Sequence, residues 1–171
     1  MLFAALSAAA AGAAEDPRCT QLEAQFQSTA KPADVRRFMH NVTYRSYTAG
    51  HGNQIEYASA DGRVHLWYPG NRIILTGHWK TEFRPISVPR LQIACNKPLL
   101  QLCFAYGENT YNPVTGQHGS GWECAPFAHF AAEHTDVVPG DPLGLATMAA
   151  PPFPLPRDNL TIAAILARMP H

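Results

Sequence analysis

The chain has 171 residues, a length that fits one domain of about 100–200 residues. Thirteen Lys and Arg balance thirteen Asp and Glu, and this zero net charge gives no long-range pull toward nucleic acid or an anionic membrane. Only 15% of the residues are charged and 15 are proline, which argues for a turn-rich fold with a polar, weakly charged surface.

Residues 2–14 carry no charge and end in the small residues AGAA before Glu15. The run is too short to cross a bilayer, which takes about 20 apolar residues, and its end suits signal peptidase. Residues 1–14 therefore read as a signal peptide, with no transmembrane span left in the mature chain. Residues 18–30 (RCTQLEAQFQSTA) predict a short helix that Pro32 ends. Pro32 also suits the first position of a second short helix, with Val35, Phe38 and Met39 on one face. From residue 41 the composition turns β-branched and aromatic. In QIEYA, Ile55 and Tyr57 share a face. Asp61 and Gly62 mark a turn, and RVHLWY then puts Val64, Leu66 and Tyr68 opposite Arg63, His65 and Trp67. Pro69 and Gly70 turn the chain again into residues 72–83, where Gly77 predicts a bulge or bend before Trp79.

Residues 84–89, with two prolines, predict a crossing between strands. Residues 91–95 and 99–106 are further strand candidates. Residues 107–121 predict a long polar loop, and residues 122–124 a short strand. After Pro126 the pattern fades. Six prolines between residues 138 and 157 predict a draped arm, and residues 159–169 a closing amphipathic helix with Asp158 as N-cap and Pro170 as its stop. The expected fold is mainly β (α+β): an antiparallel meander or small barrel-like sheet, with short N-terminal helices and a C-terminal helix. The expected organisation is a β domain over 15–136 and an arm with its helix over 137–171.

Four cysteines in an exported chain predict disulfides. No two are spaced C-x-x-C, so a zinc ribbon or thioredoxin site has no support. Pairing Cys103 with Cys124 closes a loop of about twenty residues and is worth roughly 3 kcal/mol in the loop-entropy picture. Cys19 would then tie to Cys95. The competing pairing joins Cys95 to Cys103 across a tight hairpin.

Tyr57, the Asp61-Gly62 turn, Gly77-x-Trp79, Cys103-Phe104-x-Tyr106 and Trp122-x-Cys124 together form a pattern over residues 32–126. It resembles the small exported proteins of unknown function found in alphaproteobacteria. The resemblance implies a compact antiparallel sheet of lipocalin-like character. It brings no activity and no catalytic residue.

Eight histidines invite a metal site. In HFAAEH, His129 and Glu133 would share a helical face while His134 would turn about 100° away, and the H-E-x-x-H spacing of zinc peptidases is absent. His65 and His78 lie on neighbouring strands. With Arg63, Trp67 and Trp79 they could form an aromatic-polar face that stacks on a sugar or peptide. Ser120 lacks the glycine two positions before it that a nucleophile elbow needs. No pair of acids is singled out for glycoside hydrolysis, and no cofactor motif is present. The expected function is non-enzymatic binding of an envelope protein or extended ligand through His65, Trp67, His78, Trp79, Tyr111, His118 and Trp122. The alternatives are a metal-binding or hydrolytic enzyme using His129, Glu133 and His134, and a structural accessory subunit of an envelope complex.

Overall fold

Alternating apolar and polar residues build the central part of this chain into antiparallel strands, and short helices and an irregular arm cover the sheet. The computed structural model describes residues 15–88, 91–113, 116, 118–134 and 136–170, so the expected signal peptide lies outside the described residues. In chain order the elements are α1 (Arg18–Phe26), α2 (Pro32–Phe38), β1 (Val42–Thr48), β2 (Gly52–Ala58), β3 (Arg63–Trp67), β4 (Leu75–Val88), β5 (Ile93–Tyr106), β6 (Glu123–Pro126), α3 (Phe127–Glu133), β7 (Asp136–Pro139) and α4 (Ile162–Leu166). The seven strands form one sheet in the order β6-β5-β4-β3-β2-β1-β7. The expected mainly β fold is present. The sheet has β6 and β7 as its two ends and does not close, so a barrel is not formed.

Register divides the core in two. Tyr44 lies opposite Glu56, Ala58 opposite Val64, Val64 opposite Gly77, and Trp79 opposite Phe104. Directly opposed residues share a face, so these side chains line one side of the sheet. There they pack with Val35 and Met39 around α2 and with Phe127 and Phe130 of α3. Ile55, Tyr57 and Trp67 have the other parity. They pack under the Pro-rich arm, against Leu143, Leu145, Leu155 and Ile165. A third cluster sets Cys19, Leu22 and Phe26 of α1 against Ile86, Ile93, Cys95 and Leu99 at the far end of the β4–β5 hairpin. The arm is thus a cover laid on one sheet face. Its first residues form β7, pairing Val137 with Tyr44 and Val138 with Thr43.

Both preferred disulfides are present. Cys19–Cys95 pins α1 to β5, and Cys103–Cys124 pins β6 beside it.

Several expectations need correction. Residues 84–88 do not cross between strands, and residue 89 lies outside the described residues. β4 runs through Pro85 as part of a 14-residue strand, with only a register shift between Pro85 and Ser87. A strand tolerates proline where the missing N–H would point away from its partner, and Pro85 stands at such a position opposite Pro98. Gly77 forms no bulge, pairing in unbroken register with Val64 and Tyr106. A Cβ there would lie 2.5 Å from the Ala105 carbonyl oxygen and 2.8 Å from the Tyr106 ring, so glycine permits a close approach. Asp158 does not cap the last helix. The Thr161 hydroxyl does, accepting from the Ala164 N–H at 3.2 Å, and the helix is only five residues long. Residues 158–160 lie outside any helix, and the Asn159 side chain accepts from Arg45 at 2.7 Å. α3 and β7 arise where the sequence pattern had faded.

Candidate binding surface

The strands differ in length, and that difference opens a groove. β3 begins at Arg63, which opposes His78, whereas β4 continues to Val88. Beyond His78, the β3 side of β4 is met by the β2–β3 turn, where the Trp79 N–H donates to the Gly62 carbonyl at 3.3 Å. Backbone groups alternate sides along a strand, so the N–H and C=O of Thr81 and Phe83 point the same way as those of Trp79, away from β5. No backbone bond to a turn or loop among the described residues occupies them.

The groove beside this edge has a volume of about 460 Å³. Its walls are Arg36 and His40 from α2 and the chain after it, and residues 59–62 of the turn. Trp79, Lys80 and Thr81 of β4 complete it. The Asp61 carboxylate is held by hydrogen bonds from Ser59 and from Arg63, whose guanidinium lies 2.7 Å away, and these keep it well below the usual carboxylate range. Arg36 is exposed and enters no ion pair among the described residues. The Trp79 indole N–H is buried with no hydrogen-bond partner among them.

The 107–122 loop adds exposed rings. Trp122, 39% exposed, lies under the Lys80 ammonium at 4.6 Å from its ring centre, and Lys80 also pairs with Glu82 at 2.9 Å. Tyr111, 57% exposed, packs against His118 with ring centres 4.5 Å apart. Lys80 opposes Cys103 and has the parity opposite to Trp79, so its contact with Trp122 lies on the other side of the sheet from Trp79, and Tyr111 with His118 sits on the loop that leads to Trp122.

The other expected ligand residues lie elsewhere. His65 and Trp67 are on the face under the arm, opposite in parity to Trp79. His65 opposes Thr76 and stacks on Tyr57 with ring centres 6.0 Å apart, and burial lowers its pKa. Trp67 is fully buried against Phe153. His78 is exposed, opposite Arg63 and one rung from His65. The five-residue aromatic-polar face expected from alternation is thus split. The register places Trp79 one residue past His78, and one residue reverses the face.

In the HFAAEH segment, His129 and Glu133 do meet, at 3.5 Å, while His134 enters the core. Its Nδ1 donates to the Phe130 carbonyl at 2.6 Å, its ring stacks on Phe130, and its edge meets Tyr44. Burial pushes its pKa down to about 4. Among the described residues, Glu82, Cys103 and Cys124 are the His, Cys, Asp or Glu group whose ligand atoms lie within 4.8 Å of one another. Both sulfurs are oxidised in one disulfide, whereas metal ligation by cysteine needs thiolates.

A buried carboxylate went unforeseen. Glu56 is 6% exposed and accepts hydrogen bonds from the hydroxyls of Tyr44 and Tyr106. Tyr106 reaches it across the sheet because Gly77 leaves room for its ring. Burial pushes the Glu56 pKa up to about 7, against the two hydrogen bonds, which favour the charged form. Burial likewise holds both tyrosines well above the usual phenol range. With all three groups under the helices, their role is to hold the sheet face together. Alternation in QIEYA puts Ile55 and Tyr57 inside and Glu56 outside. Only a cover on both faces makes Glu56 interior too.

Comparison with protein-family models, with curated proteins and with solved structures finds no match to this chain.

Proposed function

We propose that the chain acts outside the cytoplasm, periplasmic or secreted, as a non-enzymatic domain that binds a protein or other extended ligand. The observation that carries this function is the open groove along β4, bordered by Trp79, Arg36 and His40; the exposed Trp122 under Lys80 adds an aromatic surface on the other side of the sheet. Two disulfides and no free cysteine among the described residues favour an oxidising compartment. No helix among the described residues is long and apolar enough to cross a membrane. Aromatic rings beside a charged, partly desolvated groove supply stacking area and orienting hydrogen bonds without a reacting group.

The experiment is native co-purification with mass spectrometry, comparing the wild-type chain with Arg36→Ala/His40→Ala and with Tyr111→Ala/His118→Ala/Trp122→Ala. The expected result is a specific partner lost from the Arg36→Ala/His40→Ala variant while the melting temperatures of both variants stay within a few degrees of wild type. Partners retained equally by all three proteins would place the working surface elsewhere.

A further inference from the structure

We propose that the groove takes an extended acidic peptide of a partner protein, which adds to the sheet as a short strand along the open edge of β4. This rests on the binding function above and names its ligand and mode.

The sheet protects its other edges. β6 is four residues long, held by the Cys103–Cys124 disulfide and stopped at Pro126. β7 is also four residues, ends at Pro139, and leads into the arm. Short strands and prolines are the usual means of preventing edge pairing. β4 differs. Between the Gly62–Trp79 hydrogen bond and Pro85, the N–H and C=O groups of Thr81 and Phe83 face outward. They offer two donors and two acceptors in strand geometry. Thr81 lines the groove, and the Phe83 ring is 60% exposed beside it. Pro85 and the register shift after it bound the site, so it takes a few residues and does not template a fibre.

Charge selects among extended peptides. The carboxylates near the groove are already engaged, Asp61 by Arg63 and Ser59, and Glu82 by Lys80. Arg36 enters no ion pair among the described residues and stands on the wall with His40. A carboxylate side chain on the added strand would meet the Arg36 guanidinium, and its backbone would pair with Thr81 and Phe83. Backbone pairing gives affinity and the side-chain positions give selection, as in other strand-addition sites.

The test selects from a displayed library of random ten-residue peptides on the full chain, then measures one enriched peptide by fluorescence anisotropy. Enriched sequences should alternate Asp or Glu with β-branched residues. Thr81→Pro removes an outward N–H and leaves the β5 pairing intact, so it should weaken binding at least tenfold with little change in melting temperature. Arg36→Ala should weaken it several-fold and Arg36→Lys should restore most of the loss. If Thr81→Pro fails to fold, methylation of alternate backbone nitrogens of the peptide replaces it and should weaken binding to wild type at least tenfold. Enrichment without acidic residues, no enrichment, or binding indifferent to both Thr81→Pro and backbone methylation would overturn strand addition. A selected peptide that ignores Thr81→Pro yet is lost with Trp122→Ala would overturn it while leaving the binding surface in place.

Discussion

The two faces of the sheet are sealed by different means. Under α2 and α3, Glu56 accepts from Tyr44 and Tyr106 and the His134 ring donates to Phe130, while the Trp79 indole N–H has no hydrogen-bond partner among the described residues. Under the Pro-rich arm, both side-chain polar atoms of Asn53 and the Trp67 indole N–H are buried with no hydrogen-bond partner among the described residues. An unpartnered buried polar group costs about 1–3 kcal/mol, so the arm side must be held by apolar area. The helix side adds a hydrogen-bonded Glu56–Tyr44–Tyr106 group to its apolar area.

The largest test is Trp67→Ala, which removes the ring that the arm covers. It should destabilise the fold by about 4 kcal/mol in urea titration, with cavity formation adding to lost burial. A loss under about 1 kcal/mol would mean that the arm is not part of the folded core.

Glu56→Gln probes the other face through pH. The folded-state pKa of Glu56, about 7, lies above the ordinary 4.5, so the folded state holds its proton more tightly. Its contribution is therefore present in full below pH 4.5 and is lost as pH rises through 7. Glutamine does not titrate. The variant should gain on wild type between pH 5 and pH 8, by an amount on the order of 3 kcal/mol at most. A constant difference across that range would show that Glu56 is not desolvated. His134 acts oppositely. Its folded pKa, about 4, lies below the ordinary 6.5, so its contribution is lost as pH falls from 6.5 through 4. Wild-type stability should therefore peak between these limits.

Gly77→Ala comes next. The added methyl would meet the Ala105 carbonyl at 2.5 Å and push the Tyr106 ring off Glu56. A loss of about 2 kcal/mol is expected by thermal melting, as for overpacking elsewhere. The smallest effect has the opposite sign. Asn53→Leu should stabilise by about 1 kcal/mol, because an apolar group of similar size replaces two unpartnered polar atoms. Destabilisation there would mean that Asn53 has a partner in solution and that the two faces are sealed alike.

Much of the fold was legible in local chemistry. Alternation from residue 54 to 68 and the Asp61-Gly62 turn marked the meander, and the even cysteine count marked a disulfide framework, of which the preferred pairing is the one formed. What failed depended on distant contacts. Pro85 reads locally as a break, yet is harmless where its nitrogen faces away from β5. Residues 127–133 show only Phe127 and Phe130 at helical spacing, too little to identify α3 without the sheet it covers. Glu56 looked solvent-facing because alternation reports which residues share a face and does not report whether that face is covered. Trp79, which lines the groove, was marked from residue type, but its grouping with His65 and Trp67 failed by a single residue of register. Arg36 and His40 carried no local signal, since only the end of α2 brings them beside β4.

Residue-resolved hydrogen exchange of the free protein tests the open edge most directly, since protection follows hydrogen bonding strand by strand. In β4, the amides of Lys80 and Glu82 should exchange slowly because they bond to β5, while those of Thr81 and Phe83 should exchange orders of magnitude faster. Slow exchange at all four would mean that another segment already occupies that edge, and the binding groove would have to be abandoned.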